Sequence, residues 1–369
     1  MRVRHAAIAI PVAAIAVVAA FTALLPAAPA TAAPVALAEG LTLTEHRLDG
    51  PAHVQVLTAD LATPGLEAVY LNPGTISSTA RLSEQATRAG AVAAVNGDFF
   101  DLGHTDAPHG TGIRDGVLLH ARAKGWNDTA VIGTDHRGRI ERVRLDATIT
   151  LPAGTFPASN LNSGNVAPGG IGVYTPEWGE ADLGETVTGA EGVRAVRLRD
   201  GAVVETAADA KGTRPGTDTV LIGREAGATT LAALAVGDPV TVAVAPPAGT
   251  TAISGNAVIL RDGETVAPDG YSPDPRTAVG FSADGARMWL ATVDGRSDAS
   301  VGLTYIDLAG FLAGLGADDA LSLDGGGSST MVARLPGADG FSVRNHPSMG
   351  YEREIPNGIG FRTTDNQER

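Results

Sequence analysis

Leu321-Ser322-Leu323-Asp324-Gly325-Gly326-Gly327-Ser328-Ser329-Thr330-Met331-Val332 passes from an apolar run into a carboxylate, three glycines, three hydroxyl residues and apolar residues again. Consecutive glycines cost backbone entropy in any regular element, so this point needs bare main chain. A tight turn between two strands is the simplest account. The alternative is a nest of exposed N–H groups that suits an anionic oxygen. The carboxylate and hydroxyls around the glycines favour a site for a polar ligand carrying phosphate or sugar. No Lys follows the glycines, so the segment is not a nucleotide P-loop.

Two other apolar runs end in the same way. Ala91-Val92-Ala93-Ala94-Val95 leads into Asn96-Gly97-Asp98-Phe99-Phe100-Asp101, and the run from Arg287 to Val293 leads into Asp294-Gly295-Arg296. Side chains just past strand ends are where mixed sheets assemble sites. Further strands are expected at 41–44, 54–57 and 66–71. A short helix is expected over 82–88, behind a Ser/Thr cap and stopped by Gly90. The best helix runs over 304–315, with Leu303, Ile306, Leu308, Phe311 and Leu312 near one face and Gly316 ending it. With the strands on either side it predicts a βαβ crossover. Arg-Asp-Gly recurs at 114–116, 199–201 and 261–263. Asp-Gly is the strongest two-residue hairpin signal, so these read as turns and not as copies of a domain. Residues 150 to about 250 carry few motifs and are expected to form an inserted β subdomain. The fold class expected is α+β, a mixed, β-rich scaffold with few helices.

Composition narrows the partners. Met1-Arg2-Val3-Arg4-His5, the apolar run to about Leu25 and Ala30-Thr31-Ala32 have the layout of a secretory signal peptide over 1–32. Removing it leaves 25 basic and 41 acidic residues, net −16, because Arg2 and Arg4 go with it. Such a surface repels nucleic acid and anionic membranes, and no later segment reads as membrane-spanning. A secreted protein with no membrane partner after cleavage is expected. The absence of cysteine excludes disulfides, thiolate zinc sites and thiol nucleophiles.

Carboxylates beside Arg276 and Arg296 would suit cleavage of a sugar–phosphate bond. Carboxylates serve as acid, base or nucleophile at an oxocarbenium-like centre, and Arg forks hold phosphate in bidentate fashion. Gly-x-Ser-x-Gly and His-Glu-x-x-His are both missing. No cofactor is expected. The acids could bind Ca²⁺, but no EF-hand-like spacing supports it and no metal ligands are assigned.

Taken in order, Val95-Asn96-Gly97-Asp98-Phe99-Phe100-Asp101, Pro275-Arg276-Thr277-Ala278-Val279-Gly280, Val293-Asp294-Gly295-Arg296, Leu323 to Thr330 and Glu352-Arg353…Pro356-Asn357-Gly358 resemble the phosphodiester glycosidase family over roughly residues 41–362. Within it the chain looks most like the secreted actinobacterial branch. The resemblance implies hydrolysis of the sugar C1–O bond in a sugar-1-phosphodiester, in a cell-wall or other extracellular glycan. Carried over by motif, Asp324, Asp294 and Asp98 are candidate catalytic residues. Asn96, Arg276, Arg296, Gly325, Gly326, Gly327, Ser328 and Ser329 are candidate substrate contacts. Asp98 stands where the family usually has a second Gly, Ser322 where Asn commonly precedes Leu-Asp-Gly, and Met349 where an acid is expected. The competing readings are a phosphosugar or cell-wall glycan binder without turnover, and a glycosidase acting on phosphate-free polysaccharide.

Overall fold

A computed structural model describes residues 30–247 and 249–364. Most of the leader expected over 1–32 therefore lies outside the described residues. The fold is mixed α+β and β-rich, with three α-helices among the described residues: α1 (Leu82–Arg88), α2 (Ala226–Ala232) and α3 (Tyr305–Leu315). No helix among the described residues is long and apolar enough to cross a membrane.

Two sheets make the framework of the site. In the larger one, Ala52–Asp60, Arg287–Val293, Arg276–Phe281, Asp319–Ser322 and Ala257–Arg261 lie side by side. In the five-stranded one, Ala91–Asn96 is central, flanked by Met331–Ala333 and Gly358–Thr363. Strand alternation divides the core. Val54, Val56, Ala278 and Ala291 face Leu308 and Leu312 of α3, while Leu57, Val279 and Leu290 face Val95, Ile359 and Phe361 across the inter-sheet core.

The crossover expected around α3 is present with one strand interposed. Arg287–Val293 and Asp319–Ser322 both pair antiparallel with Arg276–Phe281, which makes them parallel to each other. Thr304 caps α3 through a reciprocal capping box with Asp307, and Gly316 ends it in the left-handed region. Ile306 departs from the expected face: it is exposed, and Tyr305, Leu308, Ala309 and Leu312 are the buried set. At α1 the N-cap is Arg81, with no capping side chain, because the Ser/Thr pair stands too far upstream.

All three Arg-Asp-Gly triplets are two-residue hairpins. Asp115–Gly116, Asp200–Gly201 and Asp262–Gly263 have positive φ at both positions, and the flanking residues pair directly, as Arg114 with Val117. That is the type I′ geometry that matches strand twist. Residues 147–244 supply a three-stranded sheet and the outer strands of a ten-stranded one, packed on a cluster that includes Ile149, Val196, Leu221 and Leu231.

Candidate functional site

The segment opened on above is a bridge between sheets. It leaves Asp319–Ser322 in the larger sheet, turns through a 3-10 step at Gly326–Ser328 and enters Met331–Ala333 in the five-stranded sheet. Gly326 takes φ +58, and its N–H donates to the carbonyl of Pro275 at 2.9 Å. A Cβ there would lie 2.9 Å from Arg296 Nη2, and one at Gly327 would meet Arg353 Nη2 and Met349 Sδ, both at 2.7 Å. Two guanidiniums thus close over bare backbone, the close approach that only glycine permits.

Asp324 sits at the edge of this bridge. The Gly325 N–H donates to Oδ1 at 2.8 Å. Burial pushes the carboxyl up to about 6, with the Ser328 hydroxyl, the Gly325 N–H and Arg353 pulling the other way. Ser328 is fully buried and accepts from Arg353 Nη1 at 3.3 Å. Ser329 and Thr330 are buried too, with hydroxyls that have no partner among the described residues.

Asp98 comes to the same place from the neighbouring strand. It is buried, Oδ2 accepts from the Gly110 N–H, and Oδ1 has no partner among the described residues. Burial raises its carboxyl well above the usual range; the Gly110 N–H opposes this, and the nearby charge of Asp324 adds to the rise. Burial thus raises both carboxyls, Asp98 well above the usual range and Asp324 to about 6, and two carboxyls in unequal environments can divide acid and base roles.

Behind Asp98 stands a closed polar chain. The Asp98 N–H donates to Asn357 Oδ1, Asn357 Nδ2 donates to the Tyr70 hydroxyl at 3.0 Å, and that hydroxyl lies 2.8 Å from His120 Nε2. His120 Nδ1 meets the Gly110 carbonyl at 2.9 Å. A carbonyl only accepts, so Nδ1 carries the hydrogen and Tyr70 donates to Nε2. Burial holds His120 down to about 4. Its folded pKa lies below the unfolded value, so its contribution to stability is complete above about 6.5 and is lost as pH falls toward 4. NMR titration of the His120 ring should show a midpoint near 4. A midpoint near 6.5 would mean that the chain behind Asp98 is not formed.

Asn96 is placed beneath the site. Its amide donates to the Asp324 carbonyl and accepts from Thr277 Oγ1 and the Thr330 N–H. It ties both sheets to the glycine bridge and has no acceptor left for a ligand. The Arg276 guanidinium, expected as a phosphate fork, has its partners away from the glycines. Alternation turns it with Ala278 toward α3, where it bonds the Leu303 and Ser272 carbonyls and stacks on Tyr305 at 4.2 Å. Arg296 does arrive, pinned by two bonds to Asp274 at 2.7 and 2.9 Å. The second cation at the glycines is Arg353, which lies in the matched motif but carries no signal of its own role.

Asp294 is 5% exposed and has both oxygens on one partner. Oδ1 accepts the His346 N–H at 2.7 Å, and Oδ2 lies 2.9 Å from Nδ1 of the same residue. Both carboxylate oxygens are thus engaged by His346, whose side chain is 87% exposed, a pairing with no signal in local sequence. The acidic group Asp262, Asp318 and Asp319 lies at the far end of the strand leading to Asp324 and is paired with Arg261.

Carboxyls and guanidiniums thus gather at a junction between two sheets. Residues 180–362 match the model of the phosphodiester glycosidase family. The match begins inside the motif-poor stretch and takes in the glycine bridge, Asp294, Arg296 and Arg353. No curated protein matches the sequence. Among solved structures, a Synechocystis protein is similar at 23% identity and a TM-score of 0.72, over 91% of this chain. This chain spans 64% of that protein's length. A Burkholderia pseudomallei protein is similar at 23% identity and a TM-score of 0.66, over 86% of this chain and 76% of its own. The zebrafish N-acetylglucosamine-1-phosphodiester α-N-acetylglucosaminidase catalytic domain aligns at 17% identity and a TM-score of 0.43, over 90% of this chain and 88% of its own. The first two likenesses establish the fold.

Proposed function

We propose that this chain is a secreted hydrolase that breaks the C1–O bond of a sugar-1-phosphodiester at the sheet junction. The phosphate lies over Gly326 and Gly327 between Arg296 and Arg353. Asp324, ionised, faces the oxocarbenium-like centre. The C1–O electron pair leaves on the phosphate oxygen, to which Asp98 supplies its proton. Water supplies the hydroxyl that ends on C1, and its proton passes to a carboxylate. Two carboxyls of unequal acidity beside guanidiniums over bare backbone carry this reading. A phosphate is already a good leaving group, so electrostatic stabilisation of the departing charge carries much of the barrier.

Purified protein assayed against sugar-1-phosphodiesters and plain glycosides tests it. Turnover confined to the phosphodiesters supports the reading. Binding without release points to a phosphosugar-binding protein, and equal turnover of plain glycosides to an ordinary glycosidase. Arg353→Lys keeps charge but loses the fork, and should lower kcat/KM on phosphodiesters by about 10- to 100-fold. Arg276→Lys should leave kcat/KM near normal and cost about 1 kcal/mol of stability through the lost stack on Tyr305. The reverse ranking of the two variants would return the phosphate to Arg276.

A further inference from the structure

Three rings gather beside Asp98 that the reaction above does not use. Phe99 follows Asp98 in the chain, and His109 precedes Gly110, whose N–H holds the Asp98 carboxyl. Trp126 lies against both, at 5.6 Å from Phe99 and 4.9 Å from His109, with ring planes inclined by 38° and 39°. All three are half-buried. Rings serving only as core would be covered, as Trp178 and Trp289 are at 0% and 3% exposure. Trp126 also holds φ +55, a region where a bulky residue is a real outlier.

Arg122 completes the group. It ends the strand Val117–Arg122, four residues before Trp126, and is half-buried. Its electrostatic neighbours are Asp98, Tyr174 and His109. Its guanidinium makes no hydrogen bond and no ion pair among the described residues. An unused guanidinium fork, an unpartnered buried Asp98 Oδ1 and a half-buried cluster of rings are the apolar wall and few polar groups from which small-molecule sites are built.

We propose that Trp126, His109 and Phe99 form the floor of a pyranose subsite, with Arg122 donating to the sugar hydroxyls. The apolar face of the ring lies on Trp126, and the anomeric carbon points toward Asp98. The inference rests on the reading of Asp98 and Asp324 as the reacting carboxyls and adds where the sugar sits. Phosphate and sugar are then read by separate groups: guanidiniums over the glycines for one, aromatic rings and Arg122 for the other.

Trp126 is the half-exposed one of three tryptophans and reports on its own subsite. Asp324→Asn protein, which cannot turn over, is titrated with UDP-N-acetylglucosamine, UDP-glucose, methyl α-glucoside and inorganic phosphate while tryptophan emission is followed. At least one sugar should change the emission, and inorganic phosphate should not. Trp126→Ala should weaken binding of that sugar at least about 10-fold, read by calorimetry, while Trp126→Phe, which keeps a ring, retains most of it. Arg122→Gln should weaken sugar binding and leave the affinity for inorganic phosphate unchanged. Melting temperatures of the variants identify any that fail to fold, and the Phe and Gln variants then carry the test. No sugar-dependent emission change, unaltered sugar affinity in Trp126→Ala, or equal loss of phosphate affinity overturns the proposal. Sugar binding that depends on Trp126 in a protein inactive on every phosphodiester supports the subsite and sinks the catalytic reading. Turnover indifferent to Trp126 does the reverse.

Discussion

Asp324→Asn is expected to lower kcat on a sugar-1-phosphodiester by at least about 10³-fold and to raise the melting temperature at pH 7. The amide keeps the shape and can still accept the Gly325 N–H, so the backbone bridge is preserved. What disappears is a charge held where burial opposes it. The carboxyl is pushed from 3.8 to about 6, and two pKa units are worth about 3 kcal/mol. The folded pKa lies above the unfolded value, so protonated Asp324 favours the fold below 3.8, and this advantage is lost as pH rises to 6. The stability difference between variant and wild type should therefore be near zero at pH 4, grow across pH 4 to 6 and level off above. His120 titrates in both proteins and largely cancels in that difference, whereas loss of the Asp324 charge eases ionisation of Asp98 and adds to it in the same direction. Urea denaturation at pH 4, 5, 6 and 7.5 measures it. Near-normal kcat removes Asp324 from the mechanism, and a difference independent of pH removes the charge from the explanation.

Gly326→Ala is expected to cost about 1–2 kcal/mol of stability and about 100-fold in kcat/KM. The stability cost comes from an L residue at φ +58. The activity cost has another source. The new methyl would stand 2.9 Å from Arg296 Nη2, and Arg296 is bolted to Asp274 by two short bonds, so it cannot swing aside without breaking them. Cβ and guanidinium would contend for the space assigned to phosphate. Comparing melting temperature with kcat/KM decides between the roles. A variant that is less stable yet fully active would return the glycine segment to plain turn chemistry.

Much of the fold could be read locally. Asp-Gly pairs predict I′ hairpins because the turn is decided by four residues, and all three form. Thr304 and Gly316 bound α3 for the same reason. The candidate site was legible as three strand ends rich in acid and glycine, and Asp98, Asp324, Arg296 and the glycine bridge do converge. The assignment of particular side chains was not legible. Asn96 looks like a ligand residue beside Asp98 but is consumed by Thr277, Thr330 and the Asp324 carbonyl. Asp294 looks like a free acid, yet both its oxygens are taken by a residue 52 positions away.

By itself, then, the sequence determined the turns, the helix limits, the β-rich class and the existence of a glycine bridge behind Asp324. Each follows from backbone preferences and periodicity within a few residues. Tertiary structure decided which cations face that bridge. Arg276 and Thr277 are neighbours, and period-two alternation sends one to α3 and the other to Asn96; the strand pattern does not say which face is which until the sheets pack. Arg353 reaches Gly327 from the segment leading into Gly358–Thr363, and Arg122 enters the electrostatic neighbourhood of Asp98 and His109 from a different sheet. Those meetings are set by burial of the shared core between the sheets, a sum over distant residues that no local stretch contains.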